Sequence, residues 1–131
     1  MSRTPLIYDA ECGFCCVATA LVLSWDRGSR LRPVALQEPE AAELLHALPE
    51  ERRQASWHLV EEDGTVRSAG AGFAPLFRRL PGGRPAAAAA DRFPESAARA
   101  YSVVAGRRSA FGRVLPSALK RRADDLIRRR A

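Results

Sequence analysis

The sequence predicts an α/β fold, a small mixed sheet of about four strands with flanking helices and a helical C-terminal extension. A short apolar run leads directly into a long apolar segment of helical length, and two strand-like runs flank Asp63-Gly64. The chain beyond Gly83 holds an alanine run and an arginine-rich tail. With 131 residues, of which 47% are hydrophobic, the chain is long enough for one domain with its own core and too apolar to stay disordered.

The beginning of the chain predicts a buried strand followed by a buried helix. Leu6-Ile7-Tyr8 is a short apolar run closed by Asp9-Ala10-Glu11, which is typical of a strand that ends in a turn. Nearly every residue from Gly13 to Trp25 is apolar, so we expect a helix that is buried on most sides. Gly28 is placed to cap the C-terminus of that helix.

A second strand and a second helix come next. Leu31–Leu36 alternates in polarity, but Pro33 cannot donate a hydrogen bond to a neighbouring strand, so this strand belongs at a sheet edge or begins there. Pro39 and the glutamates beside it mark the first turn of a helix, which we expect to run to about Leu48.

A hairpin and a third helix complete the predicted core. Trp57–Val60 and Thr65–Ser68 have strand-like composition and flank Asp63-Gly64, a dipeptide that favours the tight turn between antiparallel strands. A helical segment follows at Phe73–Leu80 and ends at Pro81-Gly82-Gly83.

The order strand, helix, strand, helix, hairpin and helix is that of the thioredoxin-like fold, whose first βαβ unit makes a right-handed parallel crossover. Three further helices are predicted near residues 86–90, 97–106 and 116–130. We expect residues 1–83 to form the thioredoxin-like core. Residues 84–131 are expected to form a basic helical extension packed on the same single domain.

The net charge of +6 is concentrated in the C-terminal extension. Residues 1–81 hold 9 arginines and 11 acids, whereas residues 82–131 hold 12 basic residues and 4 acids. Such a tail can contact nucleic acid or an anionic membrane surface. However, an apolar stripe separates the basic clusters, as in a helix docked on its own domain: Leu119, Ala123, Leu126 and Ile127. We therefore expect a solvated basic face and no nucleic-acid partner.

The sequence predicts a cytoplasmic protein without a membrane span. Residues 1–5 run straight into the first strand and leave no room for a secretory signal. The longest apolar run, Phe14–Leu23, is about half of the roughly 20 residues that a membrane-spanning helix needs.

Cys12 and Cys15 are the most chemically informative residues of the chain. A C-x-x-C pair that opens a helix directly after a strand indicates redox chemistry in a reducing compartment. Positions i and i+3 of a helix are neighbours, so one thiol can attack a substrate disulfide and the other can resolve the mixed disulfide. Cys16 points about 100° further around the helix than Cys15, so we expect a buried, inert thiol.

Cys12 is the expected nucleophile. At the helix N-cap its sulfur would face unpaired backbone N–H groups and the positive end of the helix dipole, which favour the thiolate. Asp9 and Glu11 oppose this effect, which predicts a reductant or a disulfide shuffler more than a strong oxidant. Cys15 lies one turn inside the helix, so its thiol is expected to stay protonated until Cys12 forms a mixed disulfide.

The segment Tyr8–Cys15, with the sequence Tyr-Asp-Ala-Glu-Cys-Gly-Phe-Cys, resembles the signature of the DCC family of predicted thiol-disulfide oxidoreductases. Asp26 and Gln37 match further family positions. Later landmarks match as well, so that the resemblance covers about residues 6–113: Asp63-Gly64, Gly70 and Tyr101–Arg108.

The resemblance implies a thioredoxin-like thiol-disulfide oxidoreductase. Its catalytic thiols would be Cys12 and Cys15, with Asp9, Gly13 and Phe14 as supporting residues. We expect no metal and no bound cofactor. The expected partners are a disulfide-containing protein or a small thiol substrate, together with an external reductant that recycles the dithiol.

Three positions depart from the related patterns. Ala10 stands where the family usually has Gly, and Gly106 stands where it often has Asn. Thioredoxins place a cis-proline just before the third strand, where it helps to hold the substrate. The corresponding position here is near Ala55-Ser56, so we expect the substrate to be held differently.

Other interpretations of the same residues stay open. His46 and His58 could complete a four-ligand zinc site, although neither is paired at the spacing of zinc modules. The cysteines could be purely structural. Alternatively, the dithiol could report redox state in a non-catalytic domain whose basic helix binds a partner. Tyr101 and Arg107 could line a groove near the thiols or serve ordinary packing.

Overall fold

The computed structural model describes residues 3–131 and contains a four-stranded mixed sheet in the spatial order β2-β1-β3-β4. The strands are β1 (Thr4–Tyr8), β2 (Leu31–Ala35), β3 (His58–Val60) and β4 (Val66–Ser68). β1 pairs in parallel with β2, and β3 runs antiparallel to both β1 and β4. The thioredoxin-like order of elements is confirmed, and β2 is an edge strand, as Pro33 predicted.

In the described part of the chain, eight α-helices flank the sheet and form the C-terminal region. Their bounds are α1 (Gly13–Trp25), α2 (Pro39–Leu44), α3 (Glu50–Ala55), α4 (Phe73–Arg78), α5 (Arg84–Arg92), α6 (Pro94–Gly106), α7 (Arg108–Val114) and α8 (Ser117–Arg130). The predicted second helix is shorter than expected, because it gives way to turns after Leu44 and a new helix starts behind Pro49. Neither α3 nor α7 was predicted.

The sheet buries both of its faces, because alternate side chains of β1 point to opposite sides. Leu6 and Tyr8 belong to the larger core, which α1, α4 and α8 also supply. Ile7 belongs to a second core on the other face, together with Ala41 and Leu45 from the α2 region. The α1 helix therefore lies between the sheet and the C-terminal helices.

The C-terminal helix α8 packs along α1. Ala123 and Ile127 are buried in the larger core and Leu126 packs against it, whereas Leu119 is 38% exposed. Most of the predicted apolar stripe thus docks on the chain's own core. Arg121 and several other basic residues of this helix are exposed. Within residues 3–131, none of the helices combines the length and apolar composition that crossing a bilayer requires.

The junction between α1 and β2 depends on a buried carboxylate. Asp26, the C-cap of α1, is fully buried, and its two side-chain oxygens accept the backbone N–H groups of Arg30 and Leu31 at 3.0 and 2.9 Å. The expectation that Gly28 caps the helix is wrong. Ser29 takes the left-handed backbone conformation instead, with φ 52°, since the Asp26 carboxylate determines the path of the turn.

Met1 and Ser2 belong to the segment that we interpreted as leaving no room for a secretory signal, and they lie outside the described residues.

Asp26→Ala is expected to lower the free energy of unfolding by about 2 to 4 kcal/mol, because the buried N–H of Leu31 and the partly buried N–H of Arg30 lose their acceptors. Asp26→Asn keeps one acceptor oxygen and should cost less. Urea titration followed by circular dichroism measures both values. The exposed Asp125 provides the control, since Asp125→Ala should change stability by less than about 0.5 kcal/mol. An Asp26→Ala protein as stable as the parent would contradict this role.

His58 ties the hairpin to α3. Its ring is buried, with Nδ1 2.5 Å from Ser68 Oγ and Nε2 3.0 Å from the carbonyl oxygen of Arg53. A carbonyl can only accept, so Nε2 donates and Nδ1 accepts the Ser68 hydroxyl. Burial lowers the pKa of His58, so the folded ring is neutral.

This buried ring predicts a pH dependence of stability. Below roughly pH 6.5 the His58 ring is protonated in the unfolded chain, whereas it stays neutral to lower pH in the folded chain. The unfolded state therefore binds more protons, and the free energy of unfolding falls as the pH decreases. The expected slope is at most about 1.4 kcal/mol per pH unit for this residue. His58→Gln should flatten the slope between about pH 6.5 and 5, and the exposed His46 supplies the control variant His46→Gln. Equal slopes of stability against pH in the parent and both variants would disprove that the buried His58 ring causes this pH dependence.

Candidate active site around Cys12 and Cys15

The loop between β1 and α1 is held by two polar side chains. Asp9 Oδ1 accepts the backbone N–H of Glu11 at 3.0 Å and the side-chain amide of Gln37 at 2.9 Å. The Gln37 side-chain oxygen in turn accepts the backbone N–H of Ala10 at 3.2 Å. Gln37 follows β2, so these bonds connect the ends of the two parallel strands and fix the start of α1.

Cys12 occupies the N-cap of α1, as the sequence predicted. Its backbone is extended, and its Sγ accepts the backbone N–H of Cys15 at 3.3 Å. Its carbonyl oxygen accepts the backbone N–H of Cys16 at 3.0 Å, which is the first hydrogen bond of the helix. A sulfur in this position is half-buried and receives one of the N–H groups that a helix N-terminus leaves unpaired.

Cys15 and Cys16 are held in the protonated form. Burial raises the pKa of the Cys15 thiol to about 12, and its side-chain hydrogen bond with Cys12 and the charge there add to the shift. Burial also raises the pKa of Cys16 to about 11. The Cys16 thiol donates to the carbonyl oxygen of Ala10 at 3.5 Å, which makes it part of the loop's support.

The C-terminal helices cover the first turn of α1. The aliphatic part of Lys120 lies over Gly13, where an added Cβ would come within 3.0 Å of Lys120 Cε. The ring of Phe14 stacks at a tilt on Phe111 of α7, with centroids 5.4 Å apart. Gly13 thus contacts α8, and Phe14 contacts α7.

An apolar cavity of about 280 Å³ opens beside the dithiol, and Cys15 forms part of its wall. The α1 side chains Phe14, Ala18 and Val22 line one side. Aromatic rings line the opposite side, where Trp57 stacks on Phe73 at 5.8 Å and Tyr101 meets Phe73 edge-on at 6.1 Å. The cavity therefore lies between the dithiol helix, the β3 entry, α4 and α6.

Most residues of this wall were not predicted from the sequence. Of the two residues left open, Tyr101 lines the cavity, whereas Arg107 is exposed. It is the neighbouring Arg108 that lines the cavity, and its charge acts on Cys15. The match of Tyr101–Arg108 to the family landmarks was the available signal, but only the fold brings α6 to the dithiol. Gly70 contributes, since a Cβ there would lie 2.7 Å from the Ala98 backbone of α6.

The two histidines considered as zinc ligands lie apart from this arrangement. His58 has both ring nitrogens in hydrogen bonds within the hairpin region. His46 is exposed in the turn after α2, and not in a helix as expected. Within residues 3–131, no cluster of three or more His, Cys, Asp and Glu side chains is placed to hold a metal ion.

A mixed sheet in this order, with a C-x-x-C pair at the N-terminus of the first helix, defines a thioredoxin-like α/β protein with a C-terminal helical region. The chain belongs to the DCC1-like thiol-disulfide oxidoreductase family, whose model matches residues 6–114. Comparison with curated proteins finds no match. Comparison with solved structures also finds none.

Iodoacetamide at about pH 8 is expected to modify Cys12 first and to leave Cys15 and Cys16 essentially unmodified. With pKa values of about 12 and 11, the two latter thiols carry a thiolate fraction of about one in a thousand or less at that pH. Peptide mapping by mass spectrometry gives the rate for each cysteine. Denatured protein serves as the control, because all three cysteines should then react at similar rates.

Proposed function

We propose that this chain is an enzyme that exchanges electrons with disulfides through Cys12 and Cys15. The observation that carries the proposal is the position of Cys12 Sγ, which caps the N-terminus of α1 and accepts the Cys15 N–H. An acceptor of backbone N–H groups at the positive end of a helix dipole is stabilised as an anion. Membership of the oxidoreductase family supports the same reaction class.

In the first step, the Cys12 thiolate attacks one sulfur of a substrate disulfide. A Cys12–substrate mixed disulfide forms, and the second substrate sulfur leaves as a thiolate that takes a proton from solvent. Cys15 does not compete for the substrate, because burial and its contacts with Cys12 keep its pKa at about 12.

The second step is prepared by the first. Two of the causes that raise the pKa of Cys15, after burial itself, are its hydrogen bond with Cys12 and the charge on Cys12. Both disappear when Cys12 enters the mixed disulfide, and the nearby Arg108, which lowers the pKa of Cys15, remains. Cys15 then loses its proton more readily, attacks the Cys12 sulfur and releases the substrate as a thiol. Two electrons have passed to the substrate, and Cys12 and Cys15 are left as a disulfide.

The remaining site residues have supporting roles in this proposal. Asp9 fixes the loop before Cys12 through Glu11 and Gln37. Gly13 leaves room for Lys120, and Phe14 anchors the turn on α7. The reaction needs no metal or bound cofactor, and an external thiol reductant in the cytoplasm would return the disulfide to the dithiol.

The same contacts support the proposed organisation of the chain as a core and a C-terminal extension within one domain. Residues 3–83 carry the sheet and the dithiol, and residues 84–131 contribute Arg108, Lys120 and the buried face of α8. We therefore treat the C-terminal extension as part of the same unit as the thioredoxin-like core.

A redox titration in glutathione buffers tests the proposal, with alkylation and mass spectrometry of the Cys12–Cys15 peptide as the readout. The expected result is a reversible two-electron disulfide between roughly −270 and −180 mV, the range of thioredoxin-like exchange catalysts. The proposal is disproved if the two thiols stay unpaired across this range or are recovered with bound zinc. A non-catalytic binding domain would then be the better interpretation.

Single cysteine variants test the separate roles. Cys12→Ser should lower the turnover of a small disulfide by about a thousandfold or more, because the nucleophile is lost. Cys15→Ser should accumulate the mixed disulfide on Cys12, visible as an added mass. Cys16→Ser is the matched control and should retain turnover within about twofold. Full activity of Cys12→Ser would disprove that Cys12 is the nucleophile.

A further inference from the structure

Thiol-disulfide exchange does not by itself require the apolar cavity beside the dithiol. Its wall includes Cys15, and it is lined almost entirely by apolar groups, with the stacked Trp57 and Phe73 on one side. At about 280 Å³ it lies near the lower end of the range for small-molecule pockets, roughly 300 to 1,000 Å³. It fits a small organic group.

The charges on the wall are not equivalent. Asp9 Oδ1 already accepts two hydrogen bonds, from Glu11 N–H and the Gln37 amide. Arg108, by contrast, makes no ion pair and no side-chain hydrogen bond with any residue in the range 3–131. A half-buried guanidinium at the edge of an apolar cavity selects a ligand that carries an anionic group.

The segment in front of β3 argues against an extended peptide as the occupant. In thioredoxins this segment holds the substrate strand. Here Ser56 Oγ donates to the carbonyl oxygen of Trp57 at 2.7 Å and accepts the backbone N–H of Ala69 at 2.9 Å. The first of these bonds engages the Trp57 carbonyl, a backbone acceptor with which a substrate strand could otherwise pair, and Ser56 and Trp57 line the cavity.

We propose that the cavity is the substrate subsite for a low-molecular-weight disulfide whose apolar body packs between Phe14, Trp57 and Phe73 and whose anionic group pairs with Arg108. This inference rests on the proposed function of the dithiol and names its substrate class.

Atoms and electrons balance in the exchange. Cys12 takes one half of the substrate as a mixed disulfide, and the other half leaves as a thiolate. Cys15 attacks Cys12, the second half leaves as a thiol, and the Cys12–Cys15 disulfide remains. One substrate disulfide is reduced by two electrons to two thiols, and the chain is oxidised by the same two electrons.

The test uses the full chain, reduced beforehand, in stopped-flow measurements with three disulfides. Bis(carboxynitrophenyl) disulfide is aromatic and anionic, dipyridyl disulfide is aromatic and neutral, and hydroxyethyl disulfide is small and neutral. Arg108→Gln removes the cation, and the exposed neighbour Arg107→Gln is its matched control. Val104→Phe fills the cavity that Val104 lines, and the non-lining Val103→Phe is its control.

Arg108→Gln is expected to lower the rate constant for the anionic aromatic disulfide about tenfold relative to the neutral one. The readout is the ratio of the rate constants for the anionic and the neutral aromatic disulfide, because any effect of Arg108 on Cys15 acts on both substrates alike. Val104→Phe should slow both aromatic disulfides at least about fivefold and leave hydroxyethyl disulfide within about twofold. The two control variants should match the parent.

Two kinds of failure are distinguishable. If reduced parent protein does not react with hydroxyethyl disulfide through Cys12, the proposed function itself fails. If it does react, but Arg108→Gln leaves the ratio of the aromatic disulfides unchanged or Val104→Phe affects all three equally, the subsite is disproved and the exchange chemistry stands. Reduction of insulin faster than of any small disulfide, and slowed by the same two variants, would replace the small ligand with a protein substrate.

Discussion

The packing of α1 between the sheet and α8 is the constraint on which the rest of the structure depends. The sheet covers one side of this helix through Leu6 and Tyr8, and α8 covers another through Ala123 and Ile127. The sequence predicted burial on most sides, but a third side is open in the second half of the helix, where Leu21 is 66% exposed and Ser24 and Trp25 are exposed as well. Its C-terminus is closed by the buried carboxylate of Asp26, and its N-terminus carries the half-buried thiols of Cys12 and Cys15.

That N-terminus combines opposite conditions for two adjacent thiols. Cys12 lies in front of the helix and receives a backbone N–H, whereas Cys15 lies one turn inside it and has a pKa of about 12. Both thiols are half-buried, and their separation of three residues places one before the first helical residue and the other within the first turn, close enough for contact. The same spacing supports both the division of roles that we propose and the conversion of Cys15 into a nucleophile once Cys12 is occupied.

The C-terminal extension changes the surroundings of a site that the first third of the chain encodes. Lys120 covers Gly13, Phe111 meets Phe14, and Arg108 reaches the wall beside Cys15. Two basic residues of this region, Arg108 and Lys120, therefore lie beside the dithiol turn, while the outer arginines of α8 are exposed to solvent. The proposed subsite joins these two parts, since its walls come from α1, the entry to β3, α4 and α6.

The amino-acid sequence by itself determined the order of strands and helices along the core, the hairpin at Asp63-Gly64, the helix at Gly13–Trp25 and the Cys12 N-cap. These depend on local periodicity, turn chemistry and spacing, which act over a few residues. Only the tertiary structure decided that Asp26 and not Gly28 closes α1, and that Arg108 and not Arg107 faces the thiols. Both depend on contacts between distant segments. Arg107 joins α6 to α7 and Gly28 follows the end of α1, and local periodicity does not predict which residue at such a junction packs against the rest of the chain.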